Sequence, residues 1–435
     1  MFTPARYIII DDEPSQLAPL VNALHAIGTP CIGVHFQPPK LPEPGLFSGV
    51  RVLFTDLHLV AAATSDDQHF NTILSLLDRC VPDQHGPYIL VLWTSHEQKR
   101  DALTARLMER LDAAKRPLAV LALDKNNFRN GDSFDRAIEL QAAVADRIAS
   151  NPQLKALLSW EQDVLSAANA TLATVGALVP VEKRTVADYP AALDRILSQI
   201  AVAAAGEDGS RADTQGAIYS ALSPILNDRV LNHTTDADRR ALWTSAATFG
   251  GMQPPLTVEQ RARMNRALHL AFPDKEAIGR QDWGVVFPLT GDHVSDPSMM
   301  AKFGMTRKAI LESEFRIKPE NIDSVSLILV RMGAACDQAQ ANQGPVPFVL
   351  GILKPHDQKI SGTPSAAHKQ CREVLDIPGN AAPVNLCIHA RFSITMTPAE
   401  LGSLPEPLMR LREQLLMTIL FHSSTHVMRP GTLSF

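Results

Sequence analysis

The sequence has no long hydrophobic run. None of its apolar stretches approaches the ~18 residues needed to cross a bilayer, so no membrane span is predicted. Met1-Phe2-Thr3-Pro4 lacks the basic region and apolar core of a signal peptide, so a cytoplasmic location is expected. Cysteine is sparse: Cys31, Cys80, Cys336, Cys371 and Cys387 are widely spaced and odd in number. That fits reduced thiols better than a disulfide framework. Positive charge is not in excess either. Lys and Arg number 41 against 46 Asp and Glu, a net charge of −5, so no basic face announces nucleic acid as a partner. Internal repeats and low-complexity tracts are absent. What is there is a 435-residue chain, 45% hydrophobic and 20% charged, the profile of a globular protein of two to four domains.

One stretch organises the rest: Tyr7-Ile8-Ile9-Ile10-Asp11-Asp12-Glu13-Pro14. Three consecutive Ile form a short β-branched run that reads as a strand buried on both faces, and two carboxylates follow where it leaves the sheet. Arg51-Val52-Leu53-Phe54-Thr55-Asp56 repeats the pattern. In a parallel sheet the carboxyl ends of the strands share one edge, the edge where open α/β sheets bind ligands. Asp11, Asp12 and Asp56 are therefore expected to meet in one pocket, where a hard divalent cation such as Mg²⁺ would neutralise them. The ordinary alternative is that each Asp caps the helix behind its strand.

Residues 7–149 alternate strand with helix. Leu17, Leu20, Val21, Leu24 and Ile27 fall at helical spacing before Gly28. Residues 31–36 read as a second strand, and 37–49 as a Pro- and Gly-rich loop where a helix would be usual. After the strand ending at Asp56 come a helix through Phe70, Ile73, Leu74 and Leu77 and an apolar strand, 88–93, ending in Thr94-Ser95. A long amphipathic helix over 97–115 follows, then a strand over 117–123 ending in Asp124-Lys125, and a last helix over 134–149. Such alternation predicts βαβ units and a five-stranded parallel sheet.

An acidic pair after strand one, Asp after strand three, Thr or Ser after strand four and Lys after strand five: in these residues the first third of the chain resembles a response-regulator receiver domain. The resemblance implies a flavodoxin-like fold. It implies Asp56 as phosphoacceptor, Asp11 and Asp12 as Mg²⁺ ligands, and the backbone carbonyl of His58 as a further one. Thr94, with Ser95 beside it, would sense the phosphoryl group, and Lys125 would pair with its oxygens. A histidine kinase or phosphotransfer protein would be the donor, and an effector protein a further partner. The sequence departs from the family at three places. Asn126 follows Lys125 where a Pro is usual, Ala122 stands where an aromatic is common, and the second helix gives way to the Pro-rich loop. The spacings from Asp56 to Thr94 and from Thr94 to Lys125 are long as well.

Residues 150–280 read as helical, a connector or homodimerisation region, with a turn at 205–210 and a break at 250–255. From 281 to 435 the texture changes. The apolar runs 285–289, 325–330, 348–353 and 384–388 suggest a smaller β-rich domain, a barrel in one arrangement, closed by a helix carrying Leu408, Leu411, Leu415, Ile419 and Leu420. Ala335-Cys336-Asp337-Gln338-Ala339 is similar to a Cys-Asp signature of SH3-like domains in bacterial conflict systems. Cys336 and Asp337 are candidate functional residues by that likeness; the plainer reading is a buried Cys and a turn-capping Asp. His368, Cys371, Cys387 and His389 have the ligand types for zinc but irregular spacing.

The expected protein is a phosphoacceptor of a two-component-type signalling system. Receivers joined to such β-rich domains resemble components of antiphage systems of the Detocs type, where one receiver serves as a phosphate sink. Two alternatives stand beside it: a pseudo-receiver scaffold that never accepts phosphate, and a phosphatase of the haloacid dehalogenase type. The latter family wants an acid two residues after its nucleophile, where this chain has His58.

Overall fold

The computed structural model describes residues 5–26, 28–63, 65–83, 85–128, 136–232, 236–247, 255–333 and 344–428. The chain divides into two compact units, Met1–Ser166 with His233–Gly251, and Ala167–Asn232 with Met252–Phe435.

The first unit holds β1 (Tyr7–Asp11), α1 (Pro14–Ala26), β2 (Cys31–His35), β3 (Val52–Thr55), α2 (Asp66–Cys80), β4 (Ile89–Thr94), α3 (Arg100–Arg110), β5 (Ala119–Asp124) and α4 (Ala137–Ala149). The strands are all parallel in the order β2-β1-β3-β4-β5, a flavodoxin-like sheet. Ile8, Ile9 and Ile10 are fully buried, each contributing ~1.5–3 kcal/mol. They alternate across the sheet. Ile8 and Ile10 join the core beneath α2 and α3, while Ile9 joins the core beneath α1 and α4. The strand from 88 and the strand to Asp124 need two covered faces, and these helices supply them.

Two local expectations shift. The helix at 97–115 is shorter: Leu111 takes an extended conformation after its N–H bonds to Leu107, and a single turn follows at Ala113–Lys115. The link from β2 to β3 carries only the 3₁₀ turn Pro44–Phe47, as the Pro-rich composition implies. Phe47, fully buried, fills the space on the α2 face where a crossover helix would lie.

The first unit also takes in the start of α5 (Pro152–Ala177), whose Leu154 is buried in the α1/α4 core. Glu161 on α5 pairs with Arg6 at 2.6 Å and with Arg51 at 3.3 Å. Asp163 pairs with Arg239 at 2.5 Å, which ties α8 (Ala237–Ala246) to the same unit.

In the second unit α6 (Tyr189–Ala212) and α7 (Thr214–Leu231) pack together around Ala201, Ala205 and Ala217. The expected turn at 205–210 is localised to Gly206, whose φ of 71° breaks α6 at a cost only glycine escapes. The expected break at 250–255 lies almost wholly outside the described residues. After α9 (Val258–His269) the chain enters an antiparallel sheet: β6 (Leu270–Ala271), β7 (Val285–Pro288), β8 (Ser326–Arg331), β9 (Val346–Pro355), β10 (His368–Leu375), β11 (Val384–Met396) and β12 (Met409–Leu411). The order is β10-β11-β9-β8-β7-β12-β6, curled into a half-barrel with β10 and β6 at its edges. One face carries Phe287, Leu329, Phe348 and Phe392; the other carries Val286, Ile328, Leu386 and Ile388 against the helix Glu413–Val427. Residues 409–411 were expected on that helix. They form β12 instead, hydrogen-bonded between β7 and β6, so Leu411 faces the sheet core, and Leu408 lies before the strand. Among the described residues no helix is long and apolar enough to cross a membrane.

Candidate functional site

The register of the parallel sheet builds the site. Ile10 pairs with Thr55, so the next residues, Asp11 and Asp56, emerge side by side at the carboxyl ends of β1 and β3. Thr55 pairs with Leu92 and Thr94 with Asp124, which brings Thr94 and Lys125 to the same edge. Side-chain oxygens of Asp11, Asp12 and Asp56 lie within 4.8 Å of one another.

Lys125 closes this pocket from β5. Its Nζ lies 3.0 Å from Asp11 Oδ2 and 3.1 Å from Asp56 Oδ2, and it donates to Gln16 Oε1 at 2.5 Å. Lys125 is 2% exposed, Asp11 0% and Asp56 8%. The remaining carboxylate oxygens are held by backbone. Asp11 Oδ1 accepts from the Glu13 N–H at 2.9 Å, and Asp56 Oδ1 from the Leu57 N–H at 2.7 Å. Asp56 therefore sits oriented at both oxygens.

The electrostatics are unbalanced. Three carboxylates share one cation, and two like charges ~4.8 Å apart repel by about 3 kcal/mol at an effective dielectric of about 20. Burial raises the Asp11 carboxyl above its ordinary range, Lys125 opposes this, and the charge of Asp56 adds to it. Burial raises Asp12 too, again with Asp56 adding. A close, oxygen-only donor set with surplus negative charge fits a hard divalent cation such as Mg²⁺. Asp11, Asp12 and Asp56 would hold it. Among the described residues this is the only group of three or more His, Cys, Asp or Glu side chains close enough to share a metal ion.

The hydroxyls lie on the same edge. Thr94, almost fully buried, accepts from the His96 N–H at 3.2 Å, and Ser95 donates to Asn126 Oδ1 at 3.4 Å. Asn126, standing where a Pro was expected by resemblance, thus links the β4 and β5 ends.

Sequence reasoning missed a histidine cluster beside the pocket. The His58 ring meets His69 at 4.2 Å and His96 at 4.7 Å between centroids, edge to face. Burial and the neighbouring rings push His58 below its ordinary range, and burial pushes His69 down as well. His58 and His96 each follow a motif residue by two positions, a signal present in the sequence; His69, on α2, leaves no local one.

The suspected zinc group does not assemble. Cys387 joins the Phe287 face of the half-barrel and Cys371 the opposite face, because their positions on the paired strands β11 and β10 point to different sides. Burial pushes both thiols up to about 12, which keeps them protonated. His368 and His389 do pair across the two strands. Cys336 and Asp337 lie outside the described residues.

The chain matches no family model, no curated protein and no solved structure.

Proposed function

We propose that the first unit is a phosphoacceptor receiver of a two-component-type signalling system, with Asp56 taking a phosphoryl group from a histidine kinase or phosphotransfer protein. The observation that supports this most is the joining of Asp11, Asp12, Asp56 and Lys125, from three separate strand ends, into one buried pocket. A carboxylate is an established nucleophile for phosphoryl transfer. An oxygen of Asp56 would form the new bond to phosphorus as the bond from phosphorus to the donor nitrogen breaks. Leu57 N–H and Lys125 fix the carboxylate for that attack. Lys125, already within 3.1 Å of Asp56, would follow the charge onto the phosphoryl oxygens. Bound Mg²⁺ would supply further neutralisation of those oxygens. Thr94 would meet the modified group from β4.

The modification adds charge to a pocket already in surplus, which is the basis for a switch. The same chemistry also suffices for a phosphate sink in an antiphage relay, a role that needs acceptance and slow release and no further active site.

The test is intact mass after incubation with Mg²⁺ and acetyl phosphate, for the parent chain and for Asp56→Ala. A single phosphoryl adduct in the parent, absent from the variant, supports the receiver. Continuous phosphate release without an adduct points to the phosphatase alternative. Neither adduct nor release leaves a scaffold built on an unreactive pocket.

A further inference from the structure

The second unit carries a cleft that the receiver chemistry does not use. It has a volume of about 480 Å³ and lies between α9, β6 and the start of the C-terminal helix. Four cations line it, Arg263, Arg266, Lys275 and Arg412, against two carboxylates, Glu276 and Asp376. In a chain of net charge −5, this concentrates positive charge in one concavity. Its floor is apolar: Ala267, Leu270, Ala271 and Phe272.

The ion pairs inside the cleft leave part of that charge unspent. Arg266 pairs with Asp376 at 3.2 Å and lies over the Phe272 ring at 4.6 Å. Arg412 pairs with Glu276 at 2.5 Å, and the same carboxylate takes Arg410 at 3.3 Å. Both carboxylates are thereby engaged and their arginines held in place. Arg263 has Glu259 one turn earlier on α9 as an electrostatic neighbour, but neither it nor Lys275 makes a close ion pair among the described residues. Arg263 stands one helical turn before Arg266, on the same face of α9. Arg412 is also the N-cap of the 15-residue helix Glu413–Val427, and no side chain caps that helix end.

We propose that this cleft binds a phosphorylated small molecule of nucleotide size. Arginine forks match phosphoryl oxygens in pairs, and a compact group of two or more negative charges meets the two cations that no close ion pair holds. The volume exceeds what inorganic phosphate fills and lies in the range of small-ligand sites, which leaves the apolar floor for the rest of the molecule.

The experiment is calorimetric titration of the full chain with ADP, inorganic pyrophosphate and citrate, in metal-free buffer at low and at raised salt. It is repeated on Arg263→Ala/Lys275→Ala, whose side chains are exposed; unchanged circular dichroism and melting confirm its fold. The expected result is one ADP per chain, bound more tightly than pyrophosphate, weakened by salt, and weakened tenfold or more in the double variant. Citrate binding as tightly as pyrophosphate would show a site that reads charge alone and overturn the phosphoryl assignment. Absence of binding at millimolar ADP, or binding indifferent to the double variant, overturns the site itself. None of these outcomes depends on Asp56.

Discussion

Lys125→Met removes the one cation paired with the acidic pocket among the described residues, while keeping the length of the side chain. The ammonium bridges Asp11 at 3.0 Å and Asp56 at 3.1 Å, with all three groups buried. Removing one partner of a buried charge pair leaves uncompensated charge, which costs about 3–5 kcal/mol. The loss should depend on pH with a definite sign. Burial already holds the Asp11 carboxyl above its ordinary 3.8, and Lys125 is the main influence lowering it, so the variant raises it further. A carboxyl raised in the fold contributes stability below its unfolded value, and that contribution is lost as pH rises through the folded value. The deficit of the variant should thus be small in acid and full at neutral pH. Mg²⁺ should repair it, because a ligand at 100 times its Kd returns about 2.7 kcal/mol to the state that binds it. The assay is urea unfolding at about pH 7.5 and about pH 4, with Mg²⁺ or with chelator, together with hydrogen exchange of peptides covering β1 and β3. A loss under about 1 kcal/mol at neutral pH, or a deficit that neither acid nor Mg²⁺ reduces, would refute the claim that charge surplus governs this pocket.

Asp56→Asn should give no phosphoryl adduct by intact mass and should weaken Mg²⁺ binding on the order of tenfold, measured by calorimetry, since one of the three carboxylates proposed to hold the ion is lost. Burial, with His389, His422 and Lys354 nearby, pushes His368 down to about 4. For a base lowered in the fold, stability present above the ordinary 6.5 is lost as pH falls toward 4. Melting of the second unit should decline over that window, and His368→Phe should flatten the decline. Gly351 on β9 lies where an added Cβ would meet the Cys387 carbonyl oxygen at 2.8 Å. Gly351→Ala should cost about 1–3 kcal/mol by calorimetry, because a paired strand cannot retreat from its neighbour.

The five-stranded parallel sheet was legible because its signals are local. β1, β3, β4 and β5 are apolar runs of four to six residues, and the candidate residue stands at or just after the end of each, as with Ile10-Asp11 and Thr55-Asp56. Parallel pairing then turns sequence position into spatial position without further information. The Pro-rich link from β2 was legible for the same reason. Phe47 taking the place of a helix was not, since that depends on what α2 leaves uncovered. The histidine cluster escaped because His69 reaches His58 only through the docking of α2. Strand β12 escaped because three residues between a helix-like pattern and a real helix carry no periodicity of their own. Cys371 and Cys387 show the reverse failure: close in sequence pattern to a ligand set, they are separated by the alternation of strand side chains.

The discontinuous first unit has a consequence for how the protein can be taken apart. The chain leaves that unit after Ser166, returns at His233 and leaves again after Gly251. Three covalent crossings therefore join the two bodies where tandem modules have one. A cut at residue 149, the natural place to excise the parallel sheet, would strip away Leu154 from its core and Glu161 from Arg6 and Arg51. It would also discard the returning helix held by Asp163. Such a fragment would begin life with an open seam and two guanidinium groups stripped of their shared carboxylate. Modular exchange by simple end-to-end fusion is closed to an architecture of this kind; any transplant must carry both stretches, or reseal the wound that one of them leaves.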